Sequence, residues 1–148
     1  KKKGKKVFLD PAPAQTQIKE DILKNVDFIK PNETELGILT GMPVGTKGEI
    51  ERAARMLLEK GTGEVLVTMG DKGSLWMTPN SSKYFPAEKV KVMDTTAAGD
   101  CFTAAFAVAL ENDDHAKAIQ FATRAAAISV TRRGAQSSIP GRDEVFRV

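Results

Sequence analysis

Apolar positions along the chain fall into short runs and helical stripes, separated by glycine and proline. Val7-Phe8-Leu9 is a run that Asp10-Pro11-Ala12-Pro13 stops, and two prolines so close exclude a helix, so the pattern predicts a strand entering a rigid loop. Ile18, Ile22, Leu23 and Val26 recur at helical spacing. Phe28-Ile29-Lys30-Pro31 then predicts a second short strand, with Asn32 as the N-cap of a helix that stops at Gly41-Met42-Pro43. Residues 47–60 put Ile50, Ala53, Ala54, Leu57 and Leu58 on one face and end at Gly61, where left-handed backbone favours glycine. Val65-Leu66-Val67-Thr68-Met69 is the kind of β-branched run found in a strand buried on both faces of a parallel sheet. Residues 73–77, residues 83–86 and the Val90/Val92 pair predict short strands of a β-meander that turns at Pro79-Asn80-Ser81-Ser82. Residues 97–110 and 114–131 are alanine-rich with helical periodicity, and small side chains let two such helices pack closely. Residues 140–148 add one or two helical turns. Alternating strands and helices predict an α/β fold with a mostly parallel sheet and a small meander, in one domain over residues 1–148.

Composition narrows the classes without naming a function. The 148 residues are 41% hydrophobic and 28% charged, which is ordinary for a globular domain. No run of 18 apolar residues and no secretory leader pattern is present, so neither a membrane nor export is expected, and the cytoplasm is the default location. The net charge of +3 is a terminal effect: removing Lys1, Lys2, Lys3, Lys5 and Lys6 takes it to −2. With aromatic residues at only 6% and no basic stripe elsewhere, no nucleic-acid partner is expected. One cysteine, Cys101, and one histidine, His115, cannot make an internal disulfide or a closed zinc site. Cys101 is expected to be a small packed residue, His115, behind Asp113-Asp114, to be solvated, and Trp76 and Tyr84 to pack on the sheet.

The segment richest in chemistry is Asp94-Thr95-Thr96-Ala97-Ala98-Gly99-Asp100, where a loop feeds the start of an alanine-rich helix. Small residues let a ligand approach the backbone. A helix N-terminus offers orphan N–H groups and the positive end of its dipole, so Ala97, Ala98 and Gly99 are candidates to cradle an anion. Asp100 beside them is either an N-cap or a general base for a hydroxyl attacking phosphorus. Asn32 and Glu35 have the spacing of a capping box, which is their structural reading. Thr68, Gly70, Asp71 and Gly73 follow a buried strand, at the end where open α/β sheets bind ligands; the alternative is a plain turn using glycine for positive φ.

Asp94 to Asp100 resembles the signature of the PfkB-type sugar and nucleoside kinases, in the Thr-Thr-Ala-Ala form of their ribokinase branch. Pro11-Ala12-Pro13-Ala14, Lys30-Pro31-Asn32-Glu33-Thr34-Glu35, Gly70-Asp71-Lys72-Gly73 and the segment from Ala125 to Gln136 match in the same order. The resemblance implies a ribokinase-like three-layer αβα sandwich and transfer of phosphate from ATP to the 5-hydroxyl of ribose, with other sugars or nucleosides as alternative substrates. It implies Asp100 as catalytic base, and the N–H groups of Ala97, Ala98 and Gly99 as anion hole. Asn32 and Glu35 would arrange phosphates, waters and Mg²⁺, with Glu35 acting on the metal indirectly. Thr68, Gly70, Asp71 and Gly73 would form an ATP-binding turn, and Thr123 stands where the family commonly has an adenine-side asparagine. A monovalent cation, K⁺, would be held by Asp94 and Ser138 with the carbonyl groups of Thr96, Ser129, Arg132 and Gly134; without the resemblance Ser138 reads as a solvated loop serine.

The resemblance covers only the carboxyl-terminal half of such kinases, so the chain is expected to be a half lacking most of the sugar site and the lid. Sheet surface left bare by that half predicts a homodimer. An alternative is a nucleotide-binding or structural half-domain without kinase activity.

Overall fold

The computed structural model describes residues 4–16, 18–110 and 114–146. Lys1, Lys2, Lys3, Asp113 and the last two positions of the expected terminal helix lie outside the described residues. The chain divides into two compact units: one runs to Gly70 and includes Ser74–Tyr84, and the other comprises Asp71–Gly73 and the chain from Phe85 onward.

In the first unit the strands are β1 (Phe8–Leu9), β2 (Phe28–Ile29), β3 (Glu64–Thr68), β4 (Ser74–Thr78) and β5 (Ser81–Phe85), whose last residue belongs to the second unit. They form one sheet in the order β1-β2-β3-β4-β5. β1 pairs parallel with β2, and β2 parallel with β3. The expected strands near residues 65–69, 73–77 and 83–86 are therefore present. β3 has Val65, Leu66 and Val67 buried, as its composition predicts, but β4 runs antiparallel to it, with Thr68 opposite Ser74. Val90 and Val92 form no strand: residues 86–97 lack regular structure until the next helix begins, and these valines are 38% and 57% exposed.

Three helices belong to this unit. α1 (Glu20–Leu23) is a single turn; it buries Leu23 but leaves Ile22 exposed, so the apolar spacing overstated its length. α2 (Glu33–Thr40) starts at Asn32 and ends at Gly41, whose φ of 68° is the left-handed conformation expected of a glycine C-cap. α3 (Lys47–Glu59) buries Ile50, Ala53, Ala54 and Leu57, with Leu58 packed at the margin. Their apolar faces join Val65, Val67, Leu75 and Met77 of the sheet in one core. Trp76 donates its indole N–H to Glu64 at 2.5 Å across β3 and β4, and Tyr84 packs at the core's edge, as expected of sheet aromatics.

The second unit is built on α4 (Ala98–Ala109) and α5 (His115–Ser129), which pack against each other, followed by α6 (Arg142–Phe146). Cys101 is buried with Ala125 and Val145, which agrees with a packing role. Burial pushes its thiol pKa up, despite a hydrogen bond with Ser129. Asp114 caps α5 by accepting the Lys117 N–H at 3.1 Å, while His115 is half-buried. Gly73 needs its lack of a side chain: φ is 95°, and a Cβ would lie 2.0 Å from the Phe85 carbonyl oxygen.

Leu57 is 1% exposed in the first core. Leu57→Ala is expected to lower unfolding stability by about 3 kcal/mol, read from the shift in urea midpoint at constant m-value.

Candidate active site

The first unit brings together three of the expected site residues. Asn32 and Thr68 face each other in a parallel bridge just beyond β2 and beside the end of β3, and the Thr68 N–H donates to the Pro31 carbonyl at 3.1 Å. Asn32 Oδ1 accepts the Glu35 N–H at 2.8 Å, and Glu35 Oε2 accepts the Asn32 N–H at 2.8 Å. The capping-box reading is thus present in full. It leaves the Asn32 amide nitrogen and Glu35 Oε1 outside the box, so capping does not use up either side chain. The free Glu35 Oε1 suits a water of a hydrated Mg²⁺, which keeps several waters and takes few protein carboxylates, and the Asn32 NH₂ donor suits a phosphate oxygen. Gly70, the last residue of this unit before the turn, has φ of 57° and starts a 3-10 turn (Gly70–Lys72).

In the second unit, Asp71 is exposed and Gly73 buried, and the positive φ of Gly70 and Gly73 fits the plain-turn reading as well as a ligand-binding one. The signature segment has a definite electrostatic anchor. Asp94 Oδ1 accepts the Thr96 N–H at 2.9 Å and the Thr96 hydroxyl at 2.6 Å, while Oδ2 accepts the Gly134 N–H at 3.0 Å. The Thr96 hydroxyl, then the Gly134 and Thr96 N–H groups, hold the Asp94 carboxyl down at about 2. Sequence reasoning cast Thr96 and Gly134 only as carbonyl donors to a cation and missed that their N–H groups bind Asp94. The forty-residue separation hides that contact.

Ala97 precedes α4 with φ of 60°, a left-handed conformation rare outside glycine, and no side chain caps the helix. Asp100 is the third residue of α4 and exposed, so the structure does not make it the N-cap. The Ala98 N–H donates to the Thr95 carbonyl at 3.2 Å, a turn that occupies one donor of the expected anion hole. The Ala97 and Gly99 N–H groups have no acceptor among the described residues.

The remaining cation candidates lie at the end of α5 and beyond it. Ser129 and Ser138 are each 1% exposed, so Ser138 is no solvated loop serine; its hydroxyl donates to the Ala135 carbonyl at 2.7 Å within a 3-10 turn (Gln136–Ser138). The Ser129 carbonyl accepts the Arg132 N–H at 3.1 Å, and the Arg132 guanidinium pairs with Glu144 of α6. Carbonyl, hydroxyl and carboxylate oxygens are the donor set that a hard monovalent ion takes. Among the described residues no cluster of three or more His, Cys, Asp or Glu side chains offers a metal site. Thr123 turns its hydroxyl to the Ile119 carbonyl at 2.9 Å within α5, so its side chain serves its own helix. Among the described residues no helix is long and apolar enough to cross a membrane.

These parts define an α/β protein with an uncapped helix N-terminus beside a carboxylate. The chain belongs to the pfkB family of carbohydrate kinases, whose pattern matches residues 1–142. It is 46% identical over 145 residues to a deoxyribokinase of Salmonella typhi, covering 97% of this chain and 47% of the relative. It is also 46% identical over 147 residues to a ribokinase of Haemophilus influenzae, covering 99% and 48%. The structure of Arabidopsis thaliana ribokinase complexed with ribose and ATP superposes with a TM-score of 0.93 at 40% identity, covering 98% of this chain and 47% of that one. The ribokinase-like fold expected from the motifs is therefore present, and the chain spans about half the length of these relatives.

Asp94 titrates at about 2 when folded, below the value of about 4 expected when unfolded. Its contribution to stability is therefore complete above about pH 4 and is lost as pH falls through about 2. The Gly134 amide resonance is expected to shift with a midpoint near 2 and to lose this transition in Asp94→Asn; a midpoint near 4 would show that the hydrogen bonds are not held in solution.

Proposed function

We propose that this chain supplies the nucleotide and phosphoryl-transfer groups of a cytoplasmic pentose kinase that moves the γ-phosphoryl of ATP to the 5-hydroxyl of ribose. The observation that carries the reading is Asp100: an exposed carboxylate in the first turn of α4, relieved of capping because Ala97 occupies the N-cap. Asp100 takes the proton of the attacking hydroxyl, and the freed oxygen bonds to phosphorus as the bond to ADP breaks. The N–H groups of Ala97, Ala98 and Gly99 face the charge that builds on the phosphate oxygens; Ala98 must give up its bond to Thr95 to take part. Asn32 and Glu35 orient phosphate oxygens and the waters of Mg²⁺, and Thr68, Gly70, Asp71, Gly73 and Thr123 contribute to the nucleotide side. Asp94, Ser138 and the carbonyls of Thr96, Ser129, Arg132 and Gly134 would hold K⁺, whose positive charge would help order the segment before α4.

Ribose is preferred because ribokinases recur among the relatives, and deoxyribose is the competing substrate because a deoxyribokinase matches equally well. Both offer the same primary hydroxyl. A second reading, a nucleotide-binding or structural half-domain without turnover, is favoured by the Ala98 N–H already being taken by the Thr95 carbonyl. A homodimer through the outer edge of β1, where the sheet order ends, is the assembly that fits this reading.

With ATP, Mg²⁺, K⁺ and either pentose, the 5-phosphate is the expected product, and Asp100→Asn is expected to lower its rate by roughly 10²- to 10⁴-fold without weakening ATP binding. Unchanged turnover removes Asp100 from the mechanism, and saturable ATP binding without product selects the half-domain reading. Sedimentation at micromolar concentration is expected to give twice the chain's mass; a monomer overturns the dimer.

A further inference from the structure

Lys30 is a buried cation that none of the roles above uses. Its side chain is 4% exposed, and its ammonium lies 3.0 Å from the Asp10 carboxylate, whose side chain is 23% exposed. The strand register explains the meeting. Phe8 faces Phe28 and Leu9 faces Ile29, so Asp10 and Lys30 come next across the pair, where the Lys30 N–H donates to the Leu9 carbonyl at 2.9 Å. A buried ammonium is costly unless paired, and removing its partner is worse than never having placed the charge.

The location gives the pair its consequence. β1 and β2 are two residues each, so few ladder bonds hold their carboxyl ends in place. From Lys30 the chain passes through buried Pro31, whose carbonyl accepts the Thr68 N–H, directly to Asn32. Asn32 in turn is bonded to Glu35 at both ends of the capping box. Asp10 opens the Asp10-Pro11-Ala12-Pro13 loop on the neighbouring strand, so the ion pair ties that loop to the entry of α2.

We propose that Asp10 and Lys30 are positioning residues: a buried ion pair at two strand ends that sets the place of Asn32 and Glu35. The hold of these residues on phosphate oxygens and Mg²⁺ then depends on charges outside their own motif. That last dependence rests on the nucleotide-binding reading, whereas the placement of the capping box does not.

The test uses Asp10→Asn, Lys30→Met and the double variant in the full chain. Two quantities are read: amide hydrogen exchange at Asn32 and Glu35 relative to Ile50, and the ratio of ATP dissociation constants without and with Mg²⁺. Ile50 is the control because its N–H donates to Thr46 in the first turn of α3, in the same unit. Each single change is expected to speed exchange at Asn32 and Glu35 by roughly tenfold while Ile50 stays constant, and to bring the Mg²⁺ ratio toward one. The double variant, which leaves neither charge alone, is expected to regain most of both. Should Asp10→Asn fail to fold, Lys30→Met and the double variant carry the comparison, since the carboxylate left by Lys30→Met is reached by water. Exchange at Asn32 and Glu35 that follows Ile50 in every variant overturns the proposal and leaves the pair a contributor to global stability only. A parent chain whose ATP binding ignores Mg²⁺ defeats the nucleotide reading instead, and exchange then decides the placement by itself.

Discussion

Three hydrogen bonds converge on the Asp94 carboxylate, and the start of α4 depends on them. They tie Thr96, at the entry to that helix, to Gly134, beyond the end of α5. The Val130 carbonyl adds a second tie by accepting the N–H groups of both Met93 and Asp94, at 2.8 and 3.2 Å. Between these anchors and the first turn of α4, Ala97 adopts a left-handed backbone that costs roughly 1–2 kcal/mol for a residue with a Cβ. Such a conformation persists only where its surroundings over-determine it. With Ala97 so held, the chain enters α4 without a capping side chain, and Asp100 is left exposed in its first turn.

Much of the fold was legible because its signals are local. Asn32 as N-cap, Gly41 as C-cap and the buried face of α3 follow from residue types at fixed spacings, and the structure has all three. The failures are cases in which the deciding information is distant. An apolar run such as Val65 to Met69 reports burial but not the direction of its neighbours, so antiparallel β4 was legible only through the meander signals that follow it. Val90 and Val92 alternate like a strand yet have no strand to pair with. Whether Asp100 caps its helix turned on one dihedral angle at Ala97, and the burial of Ser138 on the turn that folds it back onto Ala135. Asp10 and Lys30 meet only once the register of β1 and β2 is known.

The capping boxes separate local grammar from function. α2 and α3 begin in the same way: Thr46 and Glu49 exchange side-chain and backbone bonds just as Asn32 and Glu35 do, at 3.3 and 2.9 Å. Nothing in either four-residue pattern distinguishes them. What differs is setting, since Asn32 lies in a bridge to Thr68 at the strand ends where α/β sheets receive ligands. The family motif points to the first box, and sheet topology gives a physical reason why a ligand would meet that box and not the second.

That same box has a thermodynamic consequence. Freezing a long polar side chain costs up to about 1.5–2 kcal/mol of rotamer entropy, a cost that a flexible glutamate would meet at the moment of association. In α2 the Glu35 rotamer is already ordered by folding, through its 2.8 Å bond to the Asn32 N–H. Part of the affinity of anything that engages Glu35 is therefore stored in the stability of a helix terminus, and weakening that terminus would appear as an entropic loss in binding even with every ligand contact retained.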